Sequence, residues 1–384
     1  MAGTWWTKPE DLDEKQLEVV SLGLGGNHLI LGPAGCGKTN LLLLRATYLH
    51  KSKISNIAVF AFGRVLKEFL TSGAANYPFS SDKIQTYLRW GAEMLSANGI
   101  AFSGKGNFDE VRAELYEKLY GLAGKNLEEN RLDCILIDEA QDYDEREIDL
   151  IFSFADQIFA VGDDRQRISN VSGALERLAE RCDHVIELTD HYRNGFKICR
   201  LADGIRNSID SEDGLEAHSK YNESEFESTV RSFPNLDLKE QVQKAIDEIS
   251  EQLDAYPGDL IGVLCPRQEE LGEVWDLIAN SPLADEAQLQ QFAGGYAQFQ
   301  PNRRIIVTTI HGAKGLEFRA LHLLGMDFIK KFKTQKNMSY TAVTRCKTSL
   351  RIYHDSDLPG YLEKGLSCLD NSVATPPSVK DLFQ

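Results

Sequence analysis

Eight residues near the amino end, Gly32-Pro33-Ala34-Gly35-Cys36-Gly37-Lys38-Thr39, carry the pattern G-x-x-x-x-G-K-[ST]. Glycines at this spacing let backbone N–H groups converge on phosphate oxygens, and a following helix adds partial positive charge at the same point. In this reading Gly32, Gly35 and Gly37 shape the cradle, Lys38 reaches the β- and γ-phosphates of ATP, and Thr39 holds Mg²⁺. A phosphate loop also needs a metal-holding carboxylate on a neighbouring strand. Cys134-Ile135-Leu136-Ile137 reads as a buried strand, and Asp138-Glu139-Ala140-Gln141-Asp142 leaves its carboxyl end. Asp138 is placed to organise the Mg²⁺ shell. Glu139 is placed to orient and deprotonate an attacking water.

These groups need a frame. His28–Leu31 reads as a short strand before the loop, and Asn40 to His50 as a helix after it. Further strand-like runs occur at Ile57–Phe60, Ile158–Val161, Leu260–Leu264, Ile305–Thr308 and Leu321–Leu324, with helical patterns between them, as in Lys239 to Leu253. This alternation predicts an α/β protein with parallel sheets and helices on both faces. The division expected is a first lobe over residues 1–186, with a rudimentary insertion at about 93–130, a second lobe over 187–359, and a tail over 360–384, where Pro376-Pro377 argues against a helix.

Composition narrows the class. Hydrophobic residues make up 42% and charged residues 26% of 384, as in a globular protein. No apolar run reaches membrane-spanning length, and the amino end has no basic-then-apolar signal pattern, so a cytoplasmic protein with no membrane partner is expected. Seven scattered cysteines form no C-x-x-C pair and read as reduced thiols. A net charge of −16 argues against coating nucleic acid by bulk electrostatics. Charge is uneven, however. Asp210, Glu212, Asp213, Glu216, Glu223, Glu225 and Glu227 make one acidic stretch, whereas residues 301–351 are basic and offer a local surface for phosphates.

The Asp138–Asp142 run together with the phosphate loop resembles the superfamily 1 helicases of the UvrD/Rep type. More motifs follow in that family's order. Leu12-Asp13-Glu14-Lys15-Gln16 resembles the element whose Gln contacts adenine, and Val161-Gly162-Asp163-Asp164-Arg165-Gln166 the one whose Gln senses the γ-phosphate. Tyr192-Arg193-Asn194 resembles the motif with a base-stacking Tyr and a phosphate-binding Arg. His311-Gly312-Ala313-Lys314-Gly315-Leu316-Glu317-Phe318 resembles the KGLEF motif, and Tyr340-Thr341-Ala342-Val343-Thr344-Arg345 the motif with an arginine finger. The resemblance implies two RecA-like lobes of the P-loop NTPase class. It implies nucleotide contacts from Gln16, Tyr192, Gly315 and Glu317, and catalytic roles for Gln166, Arg193 and Arg345. It also implies single-strand contacts from Phe62, Arg64, Thr86, His311 and Lys314, with core packing the alternative role for Phe62.

The chain departs from that family in two ways. The intervals that normally hold large accessory domains are short. After Gln166, Ser169 and Val171 occupy positions where the family carries base-stacking aromatics, and each such contact is worth roughly 1–3 kcal/mol. The expected function is an ATP-dependent translocase or helicase on single-stranded DNA or a single/double-strand junction. The KGLEF form points to 3′→5′ movement, while Tyr340–Arg345 also resembles the 5′→3′ branch. The alternative is a DNA-sensing regulatory ATPase subunit beside a nuclease or other protein partner in an anti-phage complex.

Overall fold

The computed structural model describes residues 9–61, 63–72, 78–125, 128–167, 172–290, 299–300, 302–331 and 334–370. Phe62, Ser169, Val171 and residues 371–384 lie outside them, as does the side chain of Arg64. Strands are β1 His28–Leu31, β2 Ile57–Phe60, β3 Ile84–Gln85, β4 Leu132–Ile137, β5 Ala155–Gly162, β6 His184–Glu187, β7 Thr229–Phe233, β8 Ile261–Cys265, β9 Ala287–Leu289, β10 Ile305–Thr309, β11 Phe318–Leu323 and β12 Cys346–Tyr353. Helices are α1 Glu14–Val20, α2 Lys38–Lys51, α3 Arg64–Ser72, α4 Tyr87–Ala97, α5 Phe108–Ala123, α6 Glu145–Phe152, α7 Ala174–Arg181, α8 Phe196–Arg206, α9 Leu238–Ala255, α10 Gln268–Ala279, α11 Gln335–Thr344 and α12 Gly360–Asp370.

Two six-stranded sheets result, in the orders β3-β2-β4-β5-β1-β6 and β7-β12-β11-β8-β10-β9. Every strand pairing within them is parallel. Parallel sheets are covered on both faces, which is why their strands read as unbroken apolar runs. Side chains alternate across the pleat. Leu29, Ile135 and Ile137 enter one core, under α4, α5 and α6. Ile30, Leu136 and Val161 enter another, which continues without a break into the second lobe through Leu66, Leu316 and Ile352. The lobes therefore share apolar core as well as polar contacts.

Register positions the chemistry. Leu31 pairs with Gly162 and Ile137 with Ala160, so Gly32, Asp138 and Asp163 leave the first sheet at one edge, the carboxyl ends of its strands. In the second sheet Phe318 pairs with Cys346, which sets the preceding Glu317 and Arg345 side by side at the amino ends of β11 and β12.

One reading changes and another gains detail. In the short interval before β4, α5 packs on α4, with Leu115 against Gly91. From α5, Arg112 pairs with Glu147 and donates to the Asp142 carbonyl at 3.0 Å, bracing the acidic turn. The expected tail begins instead with α12, because Leu362, Leu366 and Leu369 form an apolar stripe, and Pro376-Pro377 lies too far along to oppose it. α12 meets α8 at a pair of glycines. A Cβ on Gly204 would lie 2.6 Å from the Gly365 Cα, and one on Gly365 would lie 2.8 Å from the Leu201 carbonyl oxygen. Gly365→Leu must separate the helices. It is expected to cost roughly 1–3 kcal/mol in urea unfolding, and a variant as stable as the parent would show that the contact is not close.

Candidate active site

The phosphate loop links β1 to α2 in the strand–loop–helix order its motif demands. Gly35 and Gly37 take left-handed φ values of 82° and 86°, which L side chains rarely adopt. Gly35 is also tight. A Cβ there would stand 2.6 Å from the Arg193 Cβ, and its carbonyl accepts from the Tyr192 N–H at 3.1 Å. No side chain caps α2 at Gly37, so its first amides remain for an anion. Lys38 folds back on the loop, donating to the carbonyls of Gly32 at 2.7 Å and Pro33 at 2.8 Å. Gln16, on α1, donates to the Cys36 carbonyl at 3.1 Å.

Beyond β4 the backbone is strained at a useful place. Glu139 has φ 51° and ψ 45°, costly for a residue with a side chain and characteristic of working sites. Its carboxylate accepts from the Gln141 amide at 2.5 Å. Asp138 is buried. One of its oxygens accepts from the Glu139 N–H at 2.9 Å, and the other has no partner. Burial, reinforced by the adjacent Glu139, pushes the Asp138 carboxyl well above its usual range. Burial acts the same way on Glu139, but Lys314, Arg345 and Lys38 outweigh it and hold that group low. An orphaned buried oxygen with Thr39 against the same carboxylate fits Mg²⁺, which is commonly held by one or two carboxylates and the substrate's phosphates. Among the described residues no cluster of three or more His, Cys, Asp or Glu could hold a metal unaided.

A chain of contacts then crosses between lobes. Gln141 Oε1 accepts from the Asp163 N–H at 3.0 Å, and Asp163 accepts from Gln166 Nε2 at 2.6 Å. Gln166 Oε1 in turn accepts from Arg345. Arg345 is buried, and burial followed by the charge of Arg193 pulls it down to about 10. Beside this relay, Lys314 pairs with Asp142 and donates to the Gln166 carbonyl at 3.2 Å. Across the cleft Glu317 lies 2.5 Å from Arg193 and 2.6 Å from Lys347. Burial opposes its charge, but Lys347 and Arg193 win and hold it at about 2. Asn194, fully buried, donates to the carbonyls of Thr344 at 3.0 Å and Cys346 at 2.5 Å, tying the two arginine-bearing segments together.

One cleft of about 340 Å³ collects Gly35, Gly37, Lys38, Thr39, Asp138, Glu139, Gln166, Tyr192, Arg193, Gly315, Glu317 and Arg345. Gln16 lines an adjoining cavity with Asp13 and Cys36. Asp13 accepts from the Tyr192 hydroxyl at 2.5 Å. Gly32 lies behind the loop. Gly315 also receives Leu66 of α3, leaving no room for a Cβ. The single-strand candidates are dispersed. His311 is exposed, and Thr86 is half-buried, capping α4 by accepting from the Arg89 N–H at 3.3 Å. Lys314 needs correction. It is 3% exposed and spent on Asp142, so it cannot reach a strand at the surface. The basic run is likewise no phosphate surface as a whole: Arg304, Arg319 and Arg351 pair with Glu286, Asp259 and Glu248. Sequence reasoning missed the wall made by Tyr221, Asn222 and Phe226, which sits inside the acidic stretch, and it missed Lys347. A Tyr and a Phe within that stretch were its only signal.

Two family models match. One described as AAA domain covers residues 11–225, and one described as UvrD-like helicase C-terminal domain covers residues 304–353. No curated protein matches. Among solved structures, the C-terminal domain of a possible DNA helicase from Lactobacillus plantarum WCFS1 aligns at 18% identity, over 46% of this chain and 96% of that one, with a TM-score of 0.34.

The interlobe ion pair gives a direct test. Lys314→Met strands a buried Asp142 and is expected to destabilise by roughly 3–5 kcal/mol, whereas Lys314→Met with Asp142→Leu recovers most of the loss. Urea unfolding of both variants distinguishes this from a pair of no consequence, for which the single change would be silent.

Proposed function

The chain belongs to the UvrD-like helicases, and from that premise we propose that it is an ATP-driven translocase or helicase acting on single-stranded DNA or a strand junction. The observation that carries this reading is the relay from Glu139 through Gln141, Asp163 and Gln166 to Arg345, because it joins the hydrolytic carboxylate of one lobe to a cation of the other.

Phosphoryl transfer is catalysed chiefly by positioning and charge stabilisation. Lys38 exchanges its loop carbonyls for phosphate oxygens. Glu139, held low and fixed by Gln141, takes the proton of the attacking water. Gln166 turns between the γ-phosphate and Arg345, and Arg345 with Arg193 meets the charge that develops on the transferred group. Thr39 and Asp138 would hold Mg²⁺, which would supply neutralisation of phosphate charge. Loss of the γ-phosphate removes the anion that both arginines share with Lys38. The cleft then loosens, and a strand gripped on both lobes moves. The KGLEF segment favours 3′→5′ travel.

Turnover of ATP titrated with single-stranded DNA, duplex, forked ends and RNA tests the reading. Single-stranded or forked DNA is expected to stimulate most, and a rate indifferent to every nucleic acid would overturn it. Arg345→Ala should lower kcat on the order of 10³-fold with an unchanged circular dichroism spectrum. Full activity in that variant would remove the finger from the mechanism.

A further inference from the structure

The motifs that bring Arg193 and Arg345 to the cleft leave one basic group without a role. Lys347 stands two residues after Arg345, near the start of β12. Its side chain is 15% exposed and lines the cleft beside Lys38, Arg193 and Arg345. Its only ion-pair partner among the described residues is Glu317, and that carboxylate is already engaged by Arg193. One anion thus serves two cations in a place largely removed from water.

Four cations converge on this cleft. Lys38, Arg193, Arg345 and Lys347 line it together with Asp138, Glu139, Glu225 and Glu317. The other cations nearby are answered elsewhere, Arg319 by Asp259 at 3.0 Å and Lys220 by Asp190 at 3.6 Å. A cation that shares its one carboxylate in a poorly solvated cleft gains a partner when an anion enters. The backbone also makes Lys347 part of the moving jaw. Its carbonyl accepts from the Gly195 N–H at 2.9 Å, just after the residues that bind Gly35 and Thr344.

We propose that Lys347 is a third phosphate-binding cation of the second lobe, parked on Glu317 and transferred to the polyphosphate when nucleotide enters. This rests on the ATPase reading and assigns a further binding residue within it. Lys347 stands apart from the Gln166–Arg345 relay, so its contribution is read in nucleotide affinity.

The experiment is a titration with a fluorescent ATP analogue. Lys347→Met is expected to weaken binding roughly tenfold or more, as for a lost charge-assisted hydrogen bond, and Lys347→Arg to restore much of it. Lys347→Gln, which keeps a neutral donor on a shorter stem, must show the same loss if the Met variant folds poorly. The loss must persist when Glu317→Gln is the background. Unchanged affinity, or a loss that vanishes in that background, would overturn the proposal, the latter because Lys347 would then act only by restraining Glu317. A parent protein that binds no analogue would instead overturn the ATPase reading itself, and Lys38→Ala supplies that control.

Discussion

Arg345 donating to the side chain of Gln166, with Lys314 donating to the backbone of the same residue, is the contact on which the rest of the molecule turns. Both cations come from the second lobe and both are almost fully buried. A buried charge is tolerated only when paired and hydrogen-bonded. The first lobe must therefore present Asp142 and Gln166 at the right depth, or the lobes cannot close over dry cations. That requirement explains the bracing behind the acidic turn. Arg112 fixes Asp142 from α5, and Glu147 holds Arg112 in place. The small insertion before β4 thus braces the acidic turn.

The two sheets meet in opposite senses. The first offers the carboxyl ends of β1, β4 and β5, where loops can carry phosphate and carboxylate chemistry. The second offers the amino ends of β11 and β12, where the Phe318–Cys346 register sets Glu317 beside Arg345. Neither sheet holds a complete site. Gly35 makes the meeting possible, since any side chain there would strike Arg193. In the proposed mechanism, closure, charge compensation and catalysis are consequently one event, because a nucleotide that neutralises the arginines would also bring the jaws together.

Much of this frame was legible from local order. A phosphate loop needs a strand before it and a helix after it, and β1 and α2 stand there. The acidic run after Cys134–Ile137 leaves a strand end for the same reason. What was hidden depended on long-range packing. β12 reads Cys-Lys-Thr-Ser-Leu-Arg-Ile-Tyr, too polar for a buried strand, yet Thr348, Ser349 and Arg351 are buried because partners from α9, β7 and Tyr221 satisfy them. Lys314 looked like a surface cation within a nucleic-acid motif, and only the folded chain reveals Asp142 opposite it. The Tyr221–Phe226 wall was masked by the acids around it. One of these, Glu223, accepts from the Phe196 N–H at 2.6 Å and caps α8.

That cap bears on how force would pass through the second lobe. α8 begins directly after Tyr192–Asn194, and its far end packs on α11 and α12, with Gly204 against Gly365. α11 ends at Thr344, one residue before Arg345. Asn194 clamps the beginning of α8 to the end of α11 through two carbonyls. The arginines are therefore mounted on packed helices that Asn194 clamps together. A displacement of Arg193 by phosphate must be felt at Arg345, and through α11 at Asn337, whose amide donates to the Arg167 carbonyl of the first lobe at 2.8 Å. On the proposed reading, the cations in such an arrangement would respond to the nucleotide as a unit.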